Sequence, residues 1–152
     1  MAKKKKAPRS KKLKSVVLDG STALAWCFTD ENSAYADAVA RSLPRIGALV
    51  PAVWHLEVAN ALVVGERRGR CDRDDTLKWT KFLLSLPISI EEHSGSRIFH
   101  EVADLARAQK LSTYDAAYLE LALRRGLPLA TLDEPLKHAA VAVGIELFDP
   151  SR

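Results

Sequence analysis

Cysteine is scarce: Cys27 and Cys71 are the only two in 152 residues. Two thiols build neither a disulfide framework nor a zinc spacing. The four histidines, His55, His93, His100 and His138, are scattered and add no ligand pattern. Long apolar runs are missing as well. None approaches the ~20 residues of a membrane span. The basic N-terminus is followed only by Val16-Val17-Leu18 and then an acid, whereas a signal peptide needs roughly 7–15 apolar residues there. A Gly-x-x-x-x-Gly-Lys run is also absent, which excludes a phosphate-binding-loop enzyme. These absences leave a reduced, cytoplasmic globular protein as the expectation.

What is present supports that class. The chain is 47% hydrophobic and 28% charged, ordinary values for a globular domain. Its length suits one domain, over residues 15–152, with a proper core. Charge is unevenly placed. Of the 23 Lys and Arg, eight lie in residues 1–14, "MAKKKKAPRSKKLK"; the other 15 face all 19 acids, a net of −4 against +4 for the whole chain. The segment 1–14 has almost nothing to bury and reads as a disordered basic tail. Such a tail either draws in nucleic acid, with an affinity that falls as salt rises, or merely solubilises the chain.

Apolar runs and helical patterns alternate after the tail. Residues 15–19 read as a short buried strand ending on Asp19. Residues 31–43 carry Tyr35, Val39 and Leu43 on one helical stripe, with Pro44 beyond its end. "ALV" at 48–50 is a second strand, and 52–68 a helix ending in Arg67, Arg68 and Gly69. "CDRDD" opens a further helix along Trp79, Phe82, Leu83 and Leu86, and "ISI" at 88–90 is a third strand. Residues 94–109 read as a helix. Ser112 or Thr113 caps the next one, which runs to Arg125. "LPLATLD", 127–133, is a fourth strand, "EPLKHAAVAVG" a short helix, and "IELF" at 145–148 the candidate for a fifth strand. Strands separated by helices of this length imply βαβ units. The expected fold is a three-layer α/β/α sandwich around a parallel sheet of four to five strands.

Four acids stand out against this frame. Asp19 and Asp133 each follow a strand, and the C-terminal ends of parallel strands share one edge, where ligands bind at the reversal of strand order. Glu57 and Asp115 sit among apolar helical residues, where a carboxylate is costly unless paired or on a metal. Asn60 lies three residues after Glu57, on the same helix face. Each acid alone has a plainer reading: a turn former for Asp19 and Asp133, a helix-surface acid for Glu57, a first-turn acid for Asp115. Spacing leaves both readings open.

The stretches "VVLDGSTALAWCFTDE", "VPAVWHLEVANAL" and "LSTYDAAYLELALRRGLPLATLDEPLKHAAVAVGI" together resemble the PIN-domain family, and more closely the VapC-type toxins of toxin–antitoxin pairs. The resemblance spans residues 15–149. It implies a metal-dependent endoribonuclease whose carboxylates bind Mg²⁺ or Mn²⁺ and which cuts structured RNA such as tRNA. It places Asp19, Glu57, Asp115 and Asp133 as the ligating acids, with Ser21, Asn60 and Thr131 hydrogen-bonded around them. It also implies a small cognate antitoxin and a homodimer or toxin–antitoxin hetero-oligomer. Since both the acids and RNA are negative, Arg67, Arg68, Arg70, Arg124 and Arg125 are candidates for substrate binding. Four carboxylates together should also raise at least one pKa.

Two other readings compete. "LDGST" is similar to the strand-end motif of haloacid-dehalogenase phosphatases, but their nucleophilic acid would fall on Val17. A nuclease-like module that binds RNA or protein without cutting remains as the non-enzymatic alternative.

Overall fold

The computed structural model describes residues 15–152. The basic segment 1–14 lies outside the described residues. Four short strands form one parallel sheet in the order β3-β2-β1-β4: β1 (Val16–Leu18), β2 (Ala48–Val50), β3 (Ile88–Ile90) and β4 (Leu129–Ala130). Val16, Val17 and Leu18 are wholly buried, each stabilising the fold by about 1.5–3 kcal/mol relative to exposure. A strand covered on both faces reads as an unbroken apolar run rather than an alternating one.

Helices flank the sheet in two groups. α1 (Gly20–Cys27) packs on both α2 (Ala34–Ile46) and α3 (Val53–Arg67). α7 (Thr113–Arg125) lies against β1 and packs on α6 (Ala103–Gln109) and α8 (Glu134–Ala142). α4 (Arg73–Ser85) precedes β3 and opens with a reciprocal cap between Asp72 and Asp75. α5 (Gly95–Arg97) runs through a π-helical turn, Ile98–Val102, directly into α6. Among the described residues no helix is long and apolar enough to cross a membrane.

Four sequence expectations need correction. α1 was not foreseen; its residues GSTALAWC bury Gly20, Thr22, Ala23, Ala25 and Cys27, so it shows no polar stripe to betray a period. The second helix begins at Ala34, capped by Ser33, and includes Pro44 in its last turn. A proline there forfeits one helical hydrogen bond, and Gly47 closes the helix at φ 68° through a 2.7 Å bond to the Leu43 carbonyl. The fourth strand is only Leu129–Ala130 rather than 127–133. The fifth is reduced to a single parallel bridge between Leu129 and Leu147.

The topology places the site. From β1 the chain steps outward to β2 and β3, then returns to put β4 on the other side of β1. Strand order therefore reverses between β1 and β4, and a crevice opens beyond their C-terminal ends. Leu18 pairs with Ala130, and the Asp19 N–H donates to the Ala130 carbonyl at 3.0 Å. Asp19 and Thr131 thus emerge side by side into that crevice.

Candidate active site

A cavity of about 200 Å³ is lined by Asp19, Gly20, Ser21, Leu24, Glu57, Val58, Asp115 and Asp133. The structure so brings together all four acids singled out in the sequence, each from a different element. Asp19 follows β1 and precedes α1; Glu57 lies in α3; Asp115 is in the first turn of α7; Asp133 is the N-cap of α8.

Helix ends explain how so much negative charge is tolerated. Asp19, Asp115 and Asp133 stand at the N-termini of three helices, where unpaired N–H groups and the macrodipole favour an anion by about 0.3–1 kcal/mol each. Asp133 uses Oδ2 to accept from the Leu136 N–H at 3.0 Å. Asp115 has its backbone N–H capped by Ser112 Oγ at 3.1 Å, and the same hydroxyl lies close enough to favour the Asp115 carboxylate.

Asp19 is nearly buried, at 6% exposure. Two hydroxyls, Ser21 Oγ and Thr131 Oγ1, both donate to its Oδ2 at 2.7 Å. Each hydroxyl is itself held by a backbone N–H: Leu132 donates to Ser21 and Asp133 to Thr131, both at 3.0 Å. This small network fixes the carboxylate plane with one oxygen fully used. Ser21 and Thr131 therefore stand where the sequence placed them.

Asn60 does not. It is exposed and makes no hydrogen bond among the described residues. Glu57 is bound instead by Tyr118, whose hydroxyl donates to Oε1 at 3.2 Å. Tyr118 lies three residues after Asp115 on one face of α7 and is wholly buried. The one available signal was that spacing in "YDAAY"; the partner across α3 could not be read from it.

Burial, more than any other cause, pushes the Asp19 carboxyl above its ordinary value; the Ser21 and Thr131 hydroxyls pull it back and Asp133 adds to the rise. Glu57 is raised first by burial and then by Asp19 and Asp115, against the Tyr118 hydrogen bond. Asp115 is raised by burial, then by Asp19 and Asp133. Burial and the neighbouring acids also push the Tyr118 phenol far up, so it remains a neutral donor. Three acids thus share a charge that the protein does not neutralise.

The donor set fits a hard divalent cation. All the candidate ligands are carboxylate oxygens, as Mg²⁺ and Mn²⁺ favour. Among the described residues no three carboxylate, imidazole or thiol groups stand close enough together to enclose an ion. Mg²⁺ keeps several of its waters, however, and needs only one or two direct carboxylates.

The candidate basic residues lie elsewhere. Along α3 and α7, Arg67 and Arg124 are about 15 and 13 Å from Glu57 and Asp115 at the helical rise. Arg67 and Arg68 are exposed at the end of α3. Arg70 bonds both Asp30 oxygens at 2.9 Å, approaches Glu31, and lies 4.0 Å over the Phe28 ring. Arg124 joins Glu120 and Glu91, and Arg125 pairs with Glu91 at 3.0 Å. Arg97 and His93 also reach the buried Glu120, at 2.9 and 2.6 Å. Arg70, Arg124 and Arg125 are thus structural ion-pair partners before they are anything else.

A parallel α/β sheet with four carboxylates beside its reversal edge is the class of architecture that fold and cavity define, and the sequence places it in a family. Residues 16–142 match the PIN domain family, so the chain belongs to it. It is 30% identical to Ribonuclease VapC3 of Pyrobaculum aerophilum over 121 residues, covering 80% of this chain and 91% of that protein. The crystal structure of PAE2754 from the same organism has the same fold, with a TM-score of 0.65, 24% identity, and coverage of 86% and 87% of the two chains.

Proposed function

We propose that the protein is a metal-dependent endoribonuclease of VapC type, the toxin of a toxin–antitoxin pair acting in the cytoplasm. The observation that carries this reading is the convergence of Asp19, Glu57, Asp115 and Asp133 on one cavity at the strand-order reversal. Likeness to a VapC ribonuclease supports it.

Asp19, Glu57 and Asp115 would hold the principal ion, and Asp133 a second ion or the attacking water. When bound, such an ion supplies a nucleophilic water at neutral pH and stabilises charge on the phosphate. The chain's own groups prepare for this. Ser21 and Thr131 lock the Asp19 carboxylate, Tyr118 orients Glu57, and the α8 backbone holds Asp133. Each of these contacts engages one named carboxylate oxygen, and the other would serve ligation.

Partners follow from the same reading. RNA such as tRNA is the substrate. A small antitoxin holds the protein inactive, and the chain assembles as a homodimer or as a toxin–antitoxin hetero-oligomer. A separate, apolar cavity between α3 and α4, lined by Trp54, Val58, Leu62, Leu83 and Leu84, supports a protein partner there.

The test is incubation of inhibitor-free protein with total tRNA and other structured RNA, in Mg²⁺ or Mn²⁺ and in EDTA. Cleavage is expected only with metal, and Asp19→Asn and Asp115→Asn are expected to abolish it in folded protein. Binding without metal-dependent cleavage would establish the non-cutting module instead.

A further inference from the structure

We infer that a second cavity on the same sheet edge seats one unpaired base of the RNA beside the reacting phosphate. The inference rests on the ribonuclease reading of the acidic site.

The cavity measures about 280 Å³ and its apolar wall is formed by Pro51, Val53, Ile98, Val102, Tyr114 and Ala117. This is just under the ~300–1,000 Å³ of drug-sized ligand sites, room for one ring system and not for a run of nucleotides. The helices that deliver the acids also build it. Tyr114 immediately precedes Asp115 on α7. Val53 lies four residues before Glu57 on α3, about 6 Å along the helix. Pro51 follows β2, and Glu92, also lining the cavity, follows β3. The two cavities are therefore neighbours along the C-terminal edge of one sheet.

The chemistry of the wall selects the occupant. No Lys or Arg lines this cavity, and its one imidazole, His93, is already paired with Glu120 at 2.6 Å, so no free cation on the wall answers a phosphate. It offers instead an apolar hollow with Tyr114 60% exposed at its side, and Phe99 77% exposed on the π turn that contributes Ile98 and Val102. π turns occur frequently at functional sites. Unpaired RNA bases are bound by stacking on such aromatic rings and by hydrogen bonds to their edges. The polar lining residues are Glu92, Thr113 and His93, the last committed to Glu120; the Glu92 carboxylate is the one charged group not so committed, and it is an acceptor only. Guanine carries two adjacent donors, N1–H and N2–H₂, that a carboxylate can accept together, so guanine is the base the cavity fits.

The test uses the full chain and fluorescein-labelled single-stranded octamers of uridine with one central G, A, C or U. Affinity is read by fluorescence anisotropy in EDTA, and cleavage positions are mapped separately in Mg²⁺. Wild type is expected to bind the G octamer most tightly. Tyr114→Ala, at an exposed position that does not threaten folding, is expected to weaken that binding about five- to a hundredfold. Ala117→Phe, which fills the cavity, should do the same, and Glu92→Gln should remove the preference for G over A. If Tyr114→Ala binds all four octamers like wild type, the proposal is overturned. Guanine-dependent binding without any metal-dependent cleavage would keep the base site and remove the ribonuclease reading. Cleavage indifferent to Tyr114, Ala117 and Glu92 would do the reverse.

Discussion

Thr131→Val isolates the network that holds Asp19. Thr131 is 2% exposed, donates to Asp19 Oδ2 at 2.7 Å and accepts from the Asp133 N–H at 3.0 Å. Valine keeps the shape and deletes both bonds. A hydrogen bond to a charged group contributes about 1.5–3 kcal/mol, and a buried N–H left without an acceptor costs about 1–3 kcal/mol. The methyl that replaces the hydroxyl returns about 0.8 kcal/mol by its burial. The expected net loss is about 2–5 kcal/mol, a fall in Tm of roughly 5–20 °C for a domain of this size. Urea unfolding followed by circular dichroism measures it, with an unchanged m-value required for the interpretation. Thr131→Ser keeps the hydroxyl and is expected to stay within about 1 kcal/mol of wild type. A Thr131→Val protein within about 0.5 kcal/mol of wild type, or a Thr131→Ser protein equally destabilised, would refute the assignment of that energy to the hydroxyl.

Tyr118→Phe removes the donor to Glu57 without changing the buried ring; Mn²⁺ binding by calorimetry is expected to weaken about 10–100-fold, and unchanged affinity would remove Tyr118 from the site. The metal-free protein should lose stability as pH rises toward neutral. Asp19, Glu57 and Asp115 have folded-state values raised above their ordinary 3.8, 4.5 and 3.8, so their contribution is full below those ordinary values and is lost as pH climbs through the raised ones. Glu120, held low chiefly by Arg124 and Arg97 despite its burial, acts oppositely, its contribution being lost only as pH falls below 4.5. Melting curves in EDTA against pH check this: Asp115→Asn should flatten the loss and excess Mg²⁺ should reverse it, whereas a curve parallel to wild type contradicts the charge argument. Gly65→Ala should destabilise by about 1–3 kcal/mol through overpacking, because a Cβ there would lie 2.8 Å from the Phe28 ring and 3.3 Å from Cys71 Sγ; wild-type stability would show that the ring yields.

The elements that sequence located well are those whose burial leaves a pattern. Val16–Leu18, Ala48–Val50 and Ile88–Ile90 are short runs between helices of clear period, and each became a strand where expected. α1 escaped because its mostly small residues pack closely and leave no polar stripe. The reach of the fourth strand was overestimated because Leu127 and Thr131 resemble strand residues, yet only Leu129 and Ala130 have a ladder partner in β1. A strand's length is set by its neighbour, and a single segment carries no record of its neighbour.

The same distinction separates the parts of the site. Asp19 and Asp133 could be paired in advance because parallel strands must end on one edge, so local sequence plus topology suffices. Ser21 is two residues from Asp19, and Thr131 two before Asp133, so the hydroxyls travel with the acids. Glu57 needed a partner from another helix, and there the nearer candidate, Asn60, lost to Tyr118, 61 residues away. On α3, Asn60 points to solvent while Glu57 is half-buried; three residues along a helix advance the side chain by about 300°, some 60° short of a full turn. That offset is enough, at the border of a buried face, to put one residue inside and the other out. The arginines failed for a related reason. Sequence shows that Arg124 and Arg125 are basic, but Glu91, which engages both, arrives from beyond β3. Local chemistry therefore predicts which residues can act, while the long-range pairing that commits them elsewhere is visible only in the fold.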